Sequence, residues 1–291
     1  MRPVHLPRTF DQLWDTMKKS PDAALIAGGT DLLVLMRIGR IDPPALICLE
    51  RIDALKGVSS DDGRVSIGAA STHTELMSDP IVLQHFPVLA KSLRSLGSPH
   101  IRNMGTIGGN IMTASPAGDT LPSLYVLDAV LELRGREGVR EVPIQSFIKG
   151  PGATAIGPGE ILTRIFVPEK PRYGLHHYEK VGLRKALACA VLSFTAVLDL
   201  ADGGRVRAAR MAWGSAGPTV VTCPGAEAAL VGERLTGGAL AAAAERARAA
   251  VTPITDVRAS TAYRKTLAGN LVLRLADYAD RHWEGNDVDG I

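Results

Sequence analysis

Two short stretches of this chain carry residue types that could hold a ligand: AGGTD at residues 27–31 and TIGGN at residues 106–110. A glycine pair permits positive φ angles and puts no Cβ between a ligand and the peptide N–H groups. Successive N–H groups can then converge on one anion. Such nests, often at helix N-termini, bind phosphate oxygens through fixed partial positive charge and need no lysine or arginine, which neither segment has. Taken singly, each pair is equally well explained as a tight turn. Together, the shared strand–GG–polar pattern favours a ligand, and two nests could clasp one pyrophosphate. Neither is a GxGxxG fingerprint and no GxxxxGKS phosphate loop occurs, so an ordinary Rossmann or nucleotide-hydrolysing reading is poor.

Other chemistry is sparse. His5, His73, His85, His100 and His282 are scattered, and the adjacent His176 and His177 point to opposite faces of a strand, so no catalytic triad is visible. Cys48, Cys189 and Cys223 are odd in number and far apart, without CxxC spacing, so neither a disulfide framework nor a metal or iron–sulfur centre is expected here. A formal charge of +3 from 33 basic and 30 acidic residues is too even to predict a nucleic-acid partner.

These turns need elements to position them. With 291 residues and 46% hydrophobic content the chain can bury a sizeable core, and its length suggests two domains. Phe10, Leu13, Trp14 and Met17 are spaced as one face of a helix that Pro21 stops. Strands are expected at 23–27, 45–52 and 64–72, and Thr72 with Glu75 forms a capping-box pattern for the helix after it. Residues 80–97 read as helical, and the glycine-rich stretch 105–123 as a loop between packed elements. A helix running into a strand at 121–133, a hairpin end at 135–144 and a strand at 159–168 complete a mixed first half. Beyond Pro171 come three long strands, two joined by the Asp202–Gly203–Gly204 turn, then helices at 238–251 and 259–282. The apolar run 186–200 falls short of the roughly 20 residues that span a bilayer and reads as a core strand. No secretory signal is visible at the N-terminus, so a cytoplasmic protein without membrane insertion is expected.

The stretches AGGTDLLVLMR and IRNMGTIGGNIMTASPAGD resemble the two flavin-pyrophosphate segments of the FAD-binding subunits of molybdenum hydroxylases. The resemblance covers nearly the whole chain and is strongest to subunits of the bacterial xanthine dehydrogenase type. It implies an α+β protein: an FAD-binding domain of the vanillyl-alcohol-oxidase type over residues 1–172, itself two α/β subdomains, and a C-terminal domain over 173–291 like that of carbon monoxide dehydrogenase flavoproteins, with a three-stranded antiparallel sheet and helices. It also implies that Leu25, Ile26, Ala27, Gly28, Gly29, Thr30, Asp31 and Leu32, with Thr106, Ile107, Gly108, Gly109 and Asn110, wrap the FAD diphosphate. Asp119 would bind the adenosine side, and Leu162 and Lys180 would contact the flavin. Each has a plainer reading: Asp119 could cap a helix at 120–127, Leu162 could be core, and Lys180, in an apolar-alternating strand, needs either solvent or a ligand oxygen.

Two departures narrow the resemblance. The cysteine-bearing insertion that 4-hydroxybenzoyl-CoA reductases carry after TIGGN is missing. After Lys180, Arg184 is kept, but Lys185, Ala186, Leu187 and Ala188 stand where the family often has acidic residues, which leaves the electron acceptor open. Cys189 falls where the family places a residue beside the isoalloxazine ring, and a small buried core cysteine fits equally.

On this resemblance the chain relays electrons and supplies no catalytic acid or base. It would carry FAD, while molybdopterin and [2Fe-2S] clusters would belong to partners: a large molybdopterin-binding subunit and a small iron–sulfur subunit, with NAD+ or another acceptor beyond. Xanthine, carbon monoxide, nicotinate and aldehydes are all open as substrates of the partner. The rivals are a self-contained flavin oxidase, and a binding module in which both glycine turns are purely structural.

Overall fold

Helical spacing at the N-terminus is realised directly. In the computed structural model, which describes residues 2–169, 171–184 and 187–278, a short strand β1 (Val4–His5) leads into α1 (Phe10–Lys19), whose N-cap Thr9 accepts a hydrogen bond from the Gln12 N–H. This helix buries Leu13 and Trp14 against Ile47, Ile52 and Leu55. β2 (Ala24–Ile26) and β3 (Leu46–Cys48) complete a three-stranded parallel sheet in the order β1-β3-β2. Between them the apolar run after Asp31 forms a short helix, α2 (Leu32–Arg37).

The hairpin β4 (Val58–Asp61) and β5 (Arg64–Gly68) is succeeded by helices α3 (His73–Ser78), α4 (Pro80–His85), α5 (Pro87–Ser95), α6 (Pro99–Met104) and α7 (Ile107–Thr113). The Thr72–Glu75 capping box is present, and prolines stand in the first turns of α4, α5 and α6, where a missing N–H has no consequence. The stretch 105–123 is therefore not one loop. Its glycine pair lies inside α7, and its end forms α8 (Leu121–Val126). The chain continues through β6 (Val130–Arg134), β7 (Val139–Pro143), α9 (Ile144–Phe147), the small ribbon β8 (Ile148–Gly150) and β9 (Ala153–Thr154), and β10 (Ile161–Pro168). β10 inserts between the two hairpins to give an antiparallel sheet in the order β4-β5-β10-β6-β7. Its central place explains its run of buried residues, Ile161, Leu162, Thr163, Ile165, Phe166 and Val167.

The second sheet is a meander, β11 (Leu175–Gly182), β12 (Ala190–Leu200), β13 (Val206–Gly214) and the short β14 (Val221–Thr222), so it has four strands where three are expected. Three helices complete this half: α10 (Pro224–Leu230), not expected from the sequence, α11 (Gly237–Ala250) and α12 (Thr261–Leu273). Leu240, Ala243, Ala244 and Ala247 form the buried face of α11, in one core with Phe194 and Trp213. The expected extension of the last helix over 279–282 lies outside the described residues.

The chain divides into two compact units, but not by a single cut: Met1–Ser115 with Leu127–Lys170 make one, and Pro116–Val126 with Pro171–Ile291 make the other. α8 accordingly packs on β12 and β13. No helix among the described residues is long and apolar enough to cross a membrane.

Candidate functional site

The first glycine segment comes after β2 at the point where pairing with β3 ends: Ile26 is opposite Cys48, and the Leu49 N–H donates to the Ile26 carbonyl at 2.8 Å. Gly29 then takes φ +70°, a left-handed conformation that L side chains rarely adopt, and turns the chain into α2. The N–H groups of Gly28, Gly29, Thr30, Asp31 and Leu32 donate to no acceptor among the described residues. This is a run of bare donors on partly exposed backbone, the arrangement that an anionic oxygen satisfies.

The second segment is different. Ile107 N–H donates to Ser71 O (3.1 Å), Gly108 N–H to Ala69 O (2.9 Å), Gly109 N–H to Thr106 Oγ1 (3.1 Å) and Asn110 N–H to Thr106 O (3.0 Å). Thr106 is the N-cap of α7, and every one of these donors is spent inside the protein. Neither Gly108 nor Gly109 has a positive φ. What Gly108 provides is closeness, since a Cβ there would stand 2.6 Å from Ala69 O and 2.7 Å from Ala69 Cβ. The expectation of two equivalent amide nests is thus corrected: one segment offers N–H groups and the other packs.

The two segments nevertheless adjoin. A Cβ on Gly28 would lie 1.6 Å from Met104 O, one on Gly105 would lie 3.3 Å from Thr30 Oγ1 and 3.1 Å from His73 Cδ2, and Thr113 Oγ1 donates to Asp31 Oδ2 at 2.9 Å. Beside them is an apolar cavity of about 190 Å³ lined by Leu25, Ala27, Thr106, Gly108, Gly109 and Leu162, together with Ala69, Ala70, Met112 and Ile161. Six of the residues singled out from sequence therefore share one wall. At its rim Glu160 is held by Arg140 at 2.6 and 2.7 Å, which keeps its carboxyl below the usual carboxylate range. His73, not singled out, sits behind Gly105. Burial, and then the charge of Arg102, push its pKa down to about 4 from 6.5, and its Nδ1 is buried without a partner.

In the second unit Asp119 and Lys180 meet. Lys180 Nζ lies 2.7 Å from Asp119 Oδ2, and both side chains are only 10% exposed. Tyr178, on the same face of β11 as Lys180, donates to Asp119 Oδ1 at 3.5 Å. The buried lysine thus pairs with this carboxylate, where either solvent or a ligand oxygen is expected from sequence. Burial pushes the Asp119 carboxyl up from its ordinary value, against the opposing pull of Lys180 and Tyr178. Tyr178 had a usable signal in the alternation of the strand, whereas Asp119 and Lys180 are distant in sequence and nothing local pairs them. Cys189 is exposed, which removes the buried-core reading of that residue. Arg184 Nε donates to Leu187 O at 3.1 Å, and Lys185 and Ala186 lie outside the described residues. No group of three or more metal-ligating side chains occurs among the described residues.

Comparison with known proteins matches residues 1–170 to the FAD binding domain in molybdopterin dehydrogenase, and residues 176–279 to the CO dehydrogenase flavoprotein C-terminal domain. The xanthine dehydrogenase FAD-binding subunit of Escherichia coli O157:H7 is 31% identical over 278 residues, 94% of each chain. The carbon monoxide dehydrogenase medium chain of Hydrogenophaga pseudoflava is 33% identical over 258 residues, 89% of each chain. Among solved structures, quinoline 2-oxidoreductase from Pseudomonas putida 86 superposes with a TM-score of 0.91 at 29% identity, covering 97% of this chain and 98% of that one.

Proposed function

Because this chain belongs to the family of FAD-binding subunits of the molybdenum hydroxylases, and is thereby an FAD-dependent oxidoreductase subunit, we propose that it relays electrons from the [2Fe-2S] clusters of a small partner subunit to NAD+ or another acceptor. A large molybdopterin-binding partner, of the xanthine dehydrogenase type, would oxidise the substrate. Bound FAD supplies the exchange between one-electron and two-electron carriers.

The observation that carries the reading is the run of unsatisfied N–H groups from Gly28 to Leu32 beside the apolar cavity. A diphosphate is satisfied by such donors, and an aromatic portion of the cofactor by apolar walls, so the residues present fit FAD. Gly28, Gly29, Thr30, Asp31 and Leu32 are the proposed diphosphate donors. Leu25, Ile26 and Ala27 set their direction from β2, while Thr106, Ile107, Gly108, Gly109 and Asn110 form the packed floor, and Leu162 supplies apolar contact. Asp119 and Lys180 are the remaining proposed cofactor contacts. No side chain here is assigned proton transfer to or from a carbon substrate.

Purification of the chain in excess FAD tests the binding. We expect a yellow protein with one FAD per chain and no oxidation of small alcohols by the chain alone with oxygen. A colourless protein overturns the cofactor assignment, and alcohol oxidation by the isolated chain would make it a self-contained oxidase. Anaerobic NADH added to the assembled enzyme should bleach the flavin absorbance; no bleaching would assign the acceptor role to something other than NAD+.

A further inference from the structure

Three observations in the second unit converge on a corner at the end of β13. The Ser215 N–H donates to Pro116 O at 2.8 Å. Three residues beyond Asp119, Pro122 packs on the neighbouring Gly214, where a Cβ would stand 3.0 Å from Pro122 Cγ and 2.4 Å from Ser193 Oγ. In sequence Asp119 is therefore midway between two anchor points, Pro116 held at Ser215 and Pro122 against Gly214. The corner is itself braced. Ser215 adopts φ +57°, which is strained for a residue with a side chain, and its Oγ donates to Ala190 O at 3.2 Å. Arg264, only 3% exposed, donates to Ser215 O at 3.2 Å and is fixed by Asp256 at 2.6 Å.

We propose that the Gly214–Ser215 corner, braced by Arg264, is a positioning device that sets where the Asp119 carboxylate stands opposite Lys180, so that cofactor affinity depends on residues that touch neither. A side chain that was needed only to fill the core would not have to be absent at 214, nor would a strained serine with three separate hydrogen-bonded attachments be needed to end a strand. The inference rests on the reading of Asp119 and Lys180 as cofactor contacts.

The test is FAD titration of the full-length chain, tracked by the quenching of flavin fluorescence and by the shape of the bound-flavin absorbance band, with apoprotein melting measured alongside. Gly214→Ala presses on Pro122 and should weaken FAD binding about tenfold and alter the absorbance band. Ser193 Oγ is the nearer obstacle at 2.4 Å, so each variant is also made with Ser193→Ala; in that background Gly214→Ala/Pro122→Ala, which removes Cγ, should restore most of the affinity and the band shape. Arg264→Lys, which keeps the charge but loses the forked donor, should give an intermediate loss. Wild-type affinity in Gly214→Ala overturns the inference, as does a loss that tracks the melting temperature and is not rescued at Pro122. Failure of the wild-type chain to bind FAD would instead overturn the cofactor reading itself.

Discussion

AGGTD and TIGGN look alike as strings, yet the first leaves its N–H groups from Gly28 onward unused and the second spends those of Ile107 to Asn110 inside the protein. The difference comes from the neighbours. After β2 the chain turns at Gly29 into a short helix, and no acceptor among the described residues takes the N–H groups of Gly28 to Leu32. After α6 it runs past residues 69–71, whose carbonyls take the amides of Ile107 and Gly108, while Thr106 caps α7. A glycine pair therefore marks close approach of backbone, and whether the thing approached is a ligand or the protein's own chain is decided elsewhere in the fold.

Substitutions can break or sharpen this contrast. The largest effect is expected from Gly28→Ala, whose Cβ would overlap Met104 O at 1.6 Å. Neither backbone can yield easily, so stability should fall by about 3 kcal/mol or more and FAD binding should be lost, as read by melting and fluorescence titration. Wild-type behaviour would show that the two segments are not wedged together.

Next is acidification. His73 lies behind the junction, and its folded pKa of about 4 is below the ordinary 6.5. For a base with a depressed pKa, the unfolded chain takes the proton first. Stability is then complete above the ordinary value and declines as pH falls from there towards the folded value, by up to about 3 kcal/mol. Denaturant melts at pH 6.5 and 4.5 should show the decline, and His73→Asn should flatten it; an equal slope in the variant would locate the acid sensitivity at another group.

Gly108→Ala should lower stability by about 1–3 kcal/mol through its collision with Ala69, while FAD still binds at full stoichiometry. Loss of binding at unchanged stability would reinstate a second amide nest. The smallest effects belong to the cap: Thr106→Val should cost about 1 kcal/mol, and Gly109→Ala, which meets only Thr106 Oγ1 at 3.0 Å and gains helix propensity, should stay within about 1 kcal/mol of wild type.

Much of the fold is legible in local pattern. The apolar face of α1, the Thr72–Glu75 capping box, the Asp202–Gly203–Gly204 turn and the alanine-rich α11 are written in contiguous residues, and the structure has each of them. What escapes is set by tertiary contact. The two glycines of α7 speak against a helix, and only the Thr106 cap and the carbonyls of 69–71 overrule them. β14 is too short to show a period and exists because β13 offers it an edge. At the site the resemblance identifies the segments, but it does not reveal which amides are spent, that Lys180 is matched by Asp119, or that Cys189 faces outward. Those depend on pairings between residues far apart in the chain.

The place of β10 has a consequence for how the protein comes into being. It is the last strand of its sheet to leave the ribosome and the one that stands in the middle. Until residue 168 has emerged, the hairpins β4–β5 and β6–β7 share no neighbour, and β5 and β6 each display an open edge to any other nascent chain. A message truncated just ahead of β10 would therefore release two sticky ribbons, and holding them apart during synthesis becomes a task for the cell's chaperones.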